Sequence, residues 1–89
     1  MRFDAGQLRH RTPRDLWKAT SASWKAGKHV EYLMAQMPWD EFRLYQSQIK
    51  DVTGIPKFFA VEGRHLYIAP RPEKQGSVKL RYIPLEKEV

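Results

Sequence analysis

The chain has 89 residues, a formal net charge of +6 and no cysteine. That length fits one domain, and a domain this small buries only about 60–65% of its unfolded surface. The missing cysteines exclude a disulfide staple and a thiolate metal site. No apolar run approaches the ~20 residues that a helix needs to span a bilayer. Residues 1–15 also lack an apolar signal-peptide core. A soluble protein that is not exported by the usual route is therefore expected, with no membrane partner. The histidines His10, His29 and His65 are too scattered for a zinc pattern.

The charge is uneven. Residues 1–28 carry Arg2, Arg9, Arg11, Arg14, Lys18, Lys25 and Lys28 against Asp4 and Asp15, a net of +5. The remaining residues hold nine basic side chains against eight acidic ones, a net of +1. A basic N-terminal third suits an acidic partner such as nucleic acid, a membrane surface or an acidic protein patch, or else a solvated basic face.

Residues 1–11 show no clear period and read as an extended arm, with a short strand near Phe3 as one option. A helix is predicted next. Thr12 suits the N-cap, Pro13 the first helical position and Asp15 the acidic position that follows. Leu16, Ala19, Ala22 or Ser23, and Ala26 then recur at helical spacing, and Trp17 and Trp24 would share one side seven residues apart. Arg14, Lys18 and Lys25 would form a basic stripe, and Gly27 a stop. The tryptophans read either as core or sheet cover, or as an interface anchor.

Residues 28–37 place Val30, Leu33, Met34 and Met37 at helical spacing, as a separate helix or a continuation of the first. Pro38 ends that segment or opens the next helix. Residues 39–50 put Phe42, Tyr45 and Ile49 on one helical face, with Asp40 and Glu41 in the first turn, where the dipole favours acids. Two strands follow, Lys57–Val61 and His65–Ala69, joined by a hairpin at Gly63. Phe59, Val61, Leu66 and Ile68 form one face, with Phe58 and Tyr67 on the other. Aromatics on both faces call for two covers, the chain's own helices on one side and those helices or a partner on the other. Residues 70–76 read as an exposed loop and a docking candidate. Ser77–Ile83 is a third strand with a half-buried period of two. The expected fold is α+β: an arm over 1–11, two or three helices over 12–50, and a three-stranded antiparallel sheet over 54–84.

No phosphate-binding glycine loop and no nucleophile elbow is present. Arg64, His65, Lys79 and Arg81 would group on a three-stranded sheet as in a small basic RNase-like toxin. Phe58 and Tyr67 among basic residues would suit a base-stacking platform, although both are ordinary strand formers.

The second half carries a resemblance. Gly54, Pro56, Phe58, Phe59, Gly63, Leu66, Ile68, Pro70, Pro72, Leu80 and Tyr82 stand in the order and spacing of a segment that resembles tailed-phage head-to-tail adaptor (connector) proteins. These include the tail tubular A-like adaptors and their prophage relatives. The Trp39, Glu41 and Phe42 stretch resembles the one that precedes that segment. The chain is shorter than such adaptors. The resemblance implies a virion structural protein at the head–tail junction, made in the host cytoplasm and assembled as a homo-oligomeric ring with portal and tail proteins. It implies no enzymatic activity and no cofactor. On charge and exposed apolarity, the expected contact residues are Arg9, Arg11, Arg14, Trp17 and Lys18, plus Phe58 and Tyr67, with non-specific DNA contact by the basic arm. The alternative is a small basic nucleic-acid-binding module or an RNase-like toxin.

Overall fold

The computed structural model describes residues 1–27 and 31–85. It is a mainly β structure with a single helix among the described residues. The strands are β1 (Arg2–Phe3), β2 (Arg9–Arg11), β3 (Leu16–Lys25) and β4 (Glu31–Gln36). After helix α1 (Trp39–Gln48) come β5 (Thr53–Gly54), β6 (Phe58–Glu62), β7 (His65–Ala69), β8 (Arg71–Pro72) and β9 (Gly76–Pro84). Seven strands form one sheet in the order β1-β9-β3-β4-β6-β7-β2, and β5 and β8 form a separate parallel pair.

The two ends of that order are neighbours in sequence. Only residues 4–8 connect β1 to β2, and five residues reach at most about 17 Å. The sheet must therefore curl until its edges approach, giving a nearly closed barrel. Gly6 (φ +80°) makes the tight link, and its N–H donates to the Pro72 carbonyl at 2.8 Å. Phe3 is fully buried and its ring lies 5.6 Å from the His10 imidazole across the seam. The N-terminal arm is thus corrected to a pair of barrel strands.

The first predicted helix is also corrected, because residues 16–25 are β3. Its pairing with β9 skips one residue at Trp17 and one at Thr20, the register signature of β-bulges. A strand alternates every two residues, and each extra residue converts one step of two into a step of three. Leu16, Ala19 and Ala22 therefore share the inner face at steps of three, which imitates a helix. Past the second bulge plain alternation returns, with Ala22 and Trp24 buried and Lys25 exposed. Trp17 and Trp24 do not share a side. Trp24 lies in the core, and Trp17 is 61% exposed. The capping pattern serves a turn instead: the Leu16 N–H donates to the Pro13 carbonyl, and the Thr12 N–H to the Arg64 carbonyl.

The second predicted helix is corrected to a strand over its described part. Residues 31–36 form β4, antiparallel to β3 and parallel to β6. Residues 28–30 of that prediction, Val30 included, lie outside the described residues. The third helix forms as expected and seats Phe42, fully buried, with Tyr45 and Ile49 beside it. The hairpin forms too, with Gly63 at φ +59° in a two-residue turn.

The third strand exists but does not join that hairpin. β9 pairs with β3 and β1, so the three-stranded unit is corrected to strands in two different parts of the barrel wall. The exposed loop at 70–76 is likewise corrected in part: Pro70 and Pro72 are buried, and Arg71–Pro72 pairs with Thr53–Gly54. An α+β fold with two or three helices over a three-stranded sheet therefore gives way to a barrel-like sheet with one covering helix among the described residues.

Two apolar clusters hold this arrangement. Phe3, Trp24, Met34, Phe59, Leu66, Ile68 and Val78 fill the barrel. Phe42 packs with Ala60 and Ala69 between α1 and the outer face of β6 and β7. Each fully buried large side chain contributes about 1.5–3 kcal/mol. The hairpin is covered on both faces by its own chain, by the barrel interior and by α1.

Candidate interaction surface

The β3–β9 pairing is longer than anything beside it. β4 flanks β3 only from Ala22 to Lys25, and β1 flanks β9 only at Gly76 and Ser77. Leu16–Ser21 and Arg81–Pro84 therefore form a two-stranded ribbon to which no other described strand pairs. Two strands alone are marginal in water, and their outer edges carry unpaired backbone groups.

Residues directly opposite in an antiparallel pair share a face. The outer face of the ribbon and its continuation carries Lys18 opposite Ile83, Ser21 opposite Arg81, Ser23 opposite Lys79 and Lys25 opposite Ser77. Lys18 and Lys25, seven apart, share this face because one bulge lies between them. Two serines form a low floor between the basic ridge of Lys79 and Arg81 and a ridge of Glu31 and Leu33. Ser23 donates its hydroxyl to the Glu31 carboxylate, and that bond holds the carboxyl below its ordinary range, with Lys79, Lys25 and Arg81 acting the same way. The α1 helix covers β6 and β7, and leaves this face open.

At the ribbon end Trp17, Ile83, Pro84 and Leu85 form an exposed apolar patch. A groove of about 430 Å³ separates that end from the β6–β7 hairpin and is lined by Arg11, Arg14 and Arg64 together with Leu16 and Leu85. Among the described residues the ion pairs are Arg2 with Asp4 and Arg43 with Asp40, each at 3.9 Å. None of Arg9, Arg11, Arg14, Lys18, Arg64, Lys79 or Arg81 is held by a described carboxylate in this way.

The sequence-predicted residues distribute as follows. Arg9 and Arg11 are exposed on β2, opposite Tyr67 and His65. Arg11 and Arg14 meet at the groove, while Trp17 and Lys18 lie on the ribbon. Phe58 and Tyr67 are half-buried beside α1: Tyr67 is 4.6 Å from Trp39, and Phe58 is 5.2 Å edge-on to Tyr45. Their rings pack on the helix, so they do not form an open stacking platform. Arg64 and His65 lie on the hairpin, whereas Lys79 and Arg81 lie on β9, so the RNase-like grouping on one three-stranded sheet does not form. Sequence reasoning missed the serine floor and the unpaired strand edges, because both follow from which strands pair.

The residues that carry the adaptor resemblance are mostly structural here. Gly54 and Pro72 are paired in β5–β8, Pro56 and Pro70 are buried, and a Cβ at Gly54 would lie 3.7 Å from the Pro70 ring. Compared with known proteins, the chain matches no family model and no curated sequence.

Proposed function

We propose that this chain is a non-enzymatic structural subunit of a tailed-phage head–tail junction, a ring-forming adaptor between portal and tail. The observation that carries the proposal is the ribbon of Leu16–Ser21 and Arg81–Pro84, unpaired on both edges among the described residues and tipped by exposed Trp17, Ile83 and Leu85. A small domain without disulfides that presents such a surface gains stability by assembly. A contact between one patch and a different surface of the next copy is heterologous, and heterologous contacts close into rings when the rotation between copies allows it. The ordered Gly54, Pro56, Pro70, Pro72 and Tyr82 set supports the same assignment by resemblance. The helical bundle that the resemblance implies is not part of the support, since this chain has one helix among its described residues.

The test is native mass spectrometry of the protein alone and mixed with a tailed-phage portal protein encoded in the same genome, if the genome holds one. A closed oligomer, or assembly on the portal, is expected. A persistent monomer with no portal binding overturns the proposal. The groove with Arg11, Arg14 and Arg64 favours a second reading, a basic nucleic-acid-binding module. RNA affinity that falls steeply with salt, together with RNA cleavage, would select that reading instead.

A further inference from the structure

The free edge of β9 specifies the kind of strand that fits it. Every residue of β9 from Ser77 to Pro84 has a partner on β3, so the extra residues of both bulges lie on β3 and β9 stays regular. The Met1 ammonium donates to the Val78 carbonyl at 3.0 Å, and the Val78 N–H donates to the Met1 carbonyl at 2.7 Å. Beyond that point no described strand pairs with Lys79–Ile83 on the side away from β3. An added strand there would continue the line of β1, antiparallel to β9.

The side chains of this edge alternate cleanly. Lys79 and Arg81 are exposed on the outer face, whereas Leu80 and Tyr82 are half-buried on the inner face. A strand laid alongside meets the two cations on one face and the two apolar side chains on the other. Opposite charges across a strand pair attract, and like charges repel. Cations on an edge also oppose pairing of that edge with itself in a second copy.

We infer that Lys79–Ile83 of β9 is a strand-accepting edge whose occupant is an extended segment of a partner protein in which acidic residues alternate with apolar ones. The carboxylates sit against Lys79 and Arg81, and the apolar side chains sit against Leu80 and Tyr82. Main-chain hydrogen bonds supply the affinity, and the alternation supplies the choice of partner. The proposal stands on the edge geometry and does not require the head–tail assignment.

The experiment uses the full chain and a capped seven-residue peptide alternating Glu with Val. Amide hydrogen exchange is followed by NMR. Protection is expected to rise at the amides of Lys79–Ile83 that face away from β3. Replacing the peptide glutamates by lysines, or making the Lys79→Glu/Arg81→Glu variant, is expected to weaken binding roughly tenfold or more, the combined effect of two cross-strand charge pairs. A peptide with proline at its centre is expected not to bind, which separates strand pairing from simple charge attraction.

Four outcomes overturn the proposal. The glutamate and lysine peptides bind alike; protection appears only at Arg11, Arg14 and Arg64; the edge becomes protected with rising protein concentration alone, making the occupant a second copy; or a 20-base-pair duplex occupies the edge and the peptide does not. The variant's circular dichroism is compared with the parent so that loss of fold is not read as loss of binding. Ring formation is read by mass and edge occupancy by residue, so either can fail without the other.

Discussion

Tyr82 on β9 donates its hydroxyl to the Asp15 carboxylate at 2.9 Å, across sixty-seven positions of chain. The Asp15 backbone carbonyl accepts the Leu85 N–H at 2.6 Å, so one residue of the turn before β3 clasps the end of β9 twice. The bond to Asp15 raises the Tyr82 phenol above the ordinary tyrosine range. A raised folded-state value means that the contribution to stability is complete below the ordinary tyrosine value and is lost as pH rises through the raised one. Absorbance titration of the phenolates should show one tyrosine ionising late, and Tyr82→Phe should remove that phase. Asp15→Asn should bring the phase back toward the ordinary value.

The opposite sign holds at Glu31. Its carboxyl is lowered, first by the Ser23 hydroxyl and then by Lys79, Lys25 and Arg81. Its contribution is present above the ordinary glutamate value and is lost as pH falls through the lowered one. Ser23→Ala should bring the Glu31 titration, followed by carbon NMR, up toward the ordinary value. An unchanged titration would mean that the lysines and arginine dominate.

Gly76 is fixed by a neighbour rather than by its own backbone angles. A Cβ there would overlap the Trp24 indole and lie 2.7 Å from the Lys25 carbonyl oxygen. Trp24 is 2% exposed and cannot yield freely. Gly76→Ala should therefore destabilise the fold by about 1–3 kcal/mol, as overpacking does. The midpoint of urea unfolding measures it, and a value within error of the parent would show that the indole moves aside.

Phe42 and Trp17 should behave in opposite ways. Phe42 is the anchor of α1, and Phe42→Ala should cost about 3–5 kcal/mol. Trp17 is exposed, so Trp17→Ser should change stability by about 0.5 kcal/mol or less. If the ribbon end is an assembly surface, Trp17→Ser should instead lower oligomer mass in light scattering. Unfolding midpoints and masses, measured on both variants, separate the two roles.

The legible parts of the fold were those with an undisturbed period. The steps of two in Ser77–Ile83 and the hairpin glycine at Gly63 identified strands, and Phe42, Tyr45 and Ile49 identified the helix. Residues 16–25 misled because two bulges turned a strand's spacing into a helix's, and a helix-like cap at Thr12 and Pro13 reinforced the error. Beyond the β6–β7 hairpin, strand partners were not legible. Nothing local to β9 tells that it lies beside β3 rather than β7, so the ribbon, the serine floor and the free edge were invisible. The basic side chains were visible as charges, but their grouping depended on that pairing.

The closing strands have a temporal consequence. β1 and β2 leave the ribosome well before their partners, which lie in Gly76–Ser77 and His65–Tyr67. The barrel seam therefore cannot close until Gly76 and Ser77 have been made. Such long-range pairing makes folding slow relative to a helical domain of equal size. A nascent chain halted before Gly76 holds β1 without its partner, with Phe3 still seeking a place to bury.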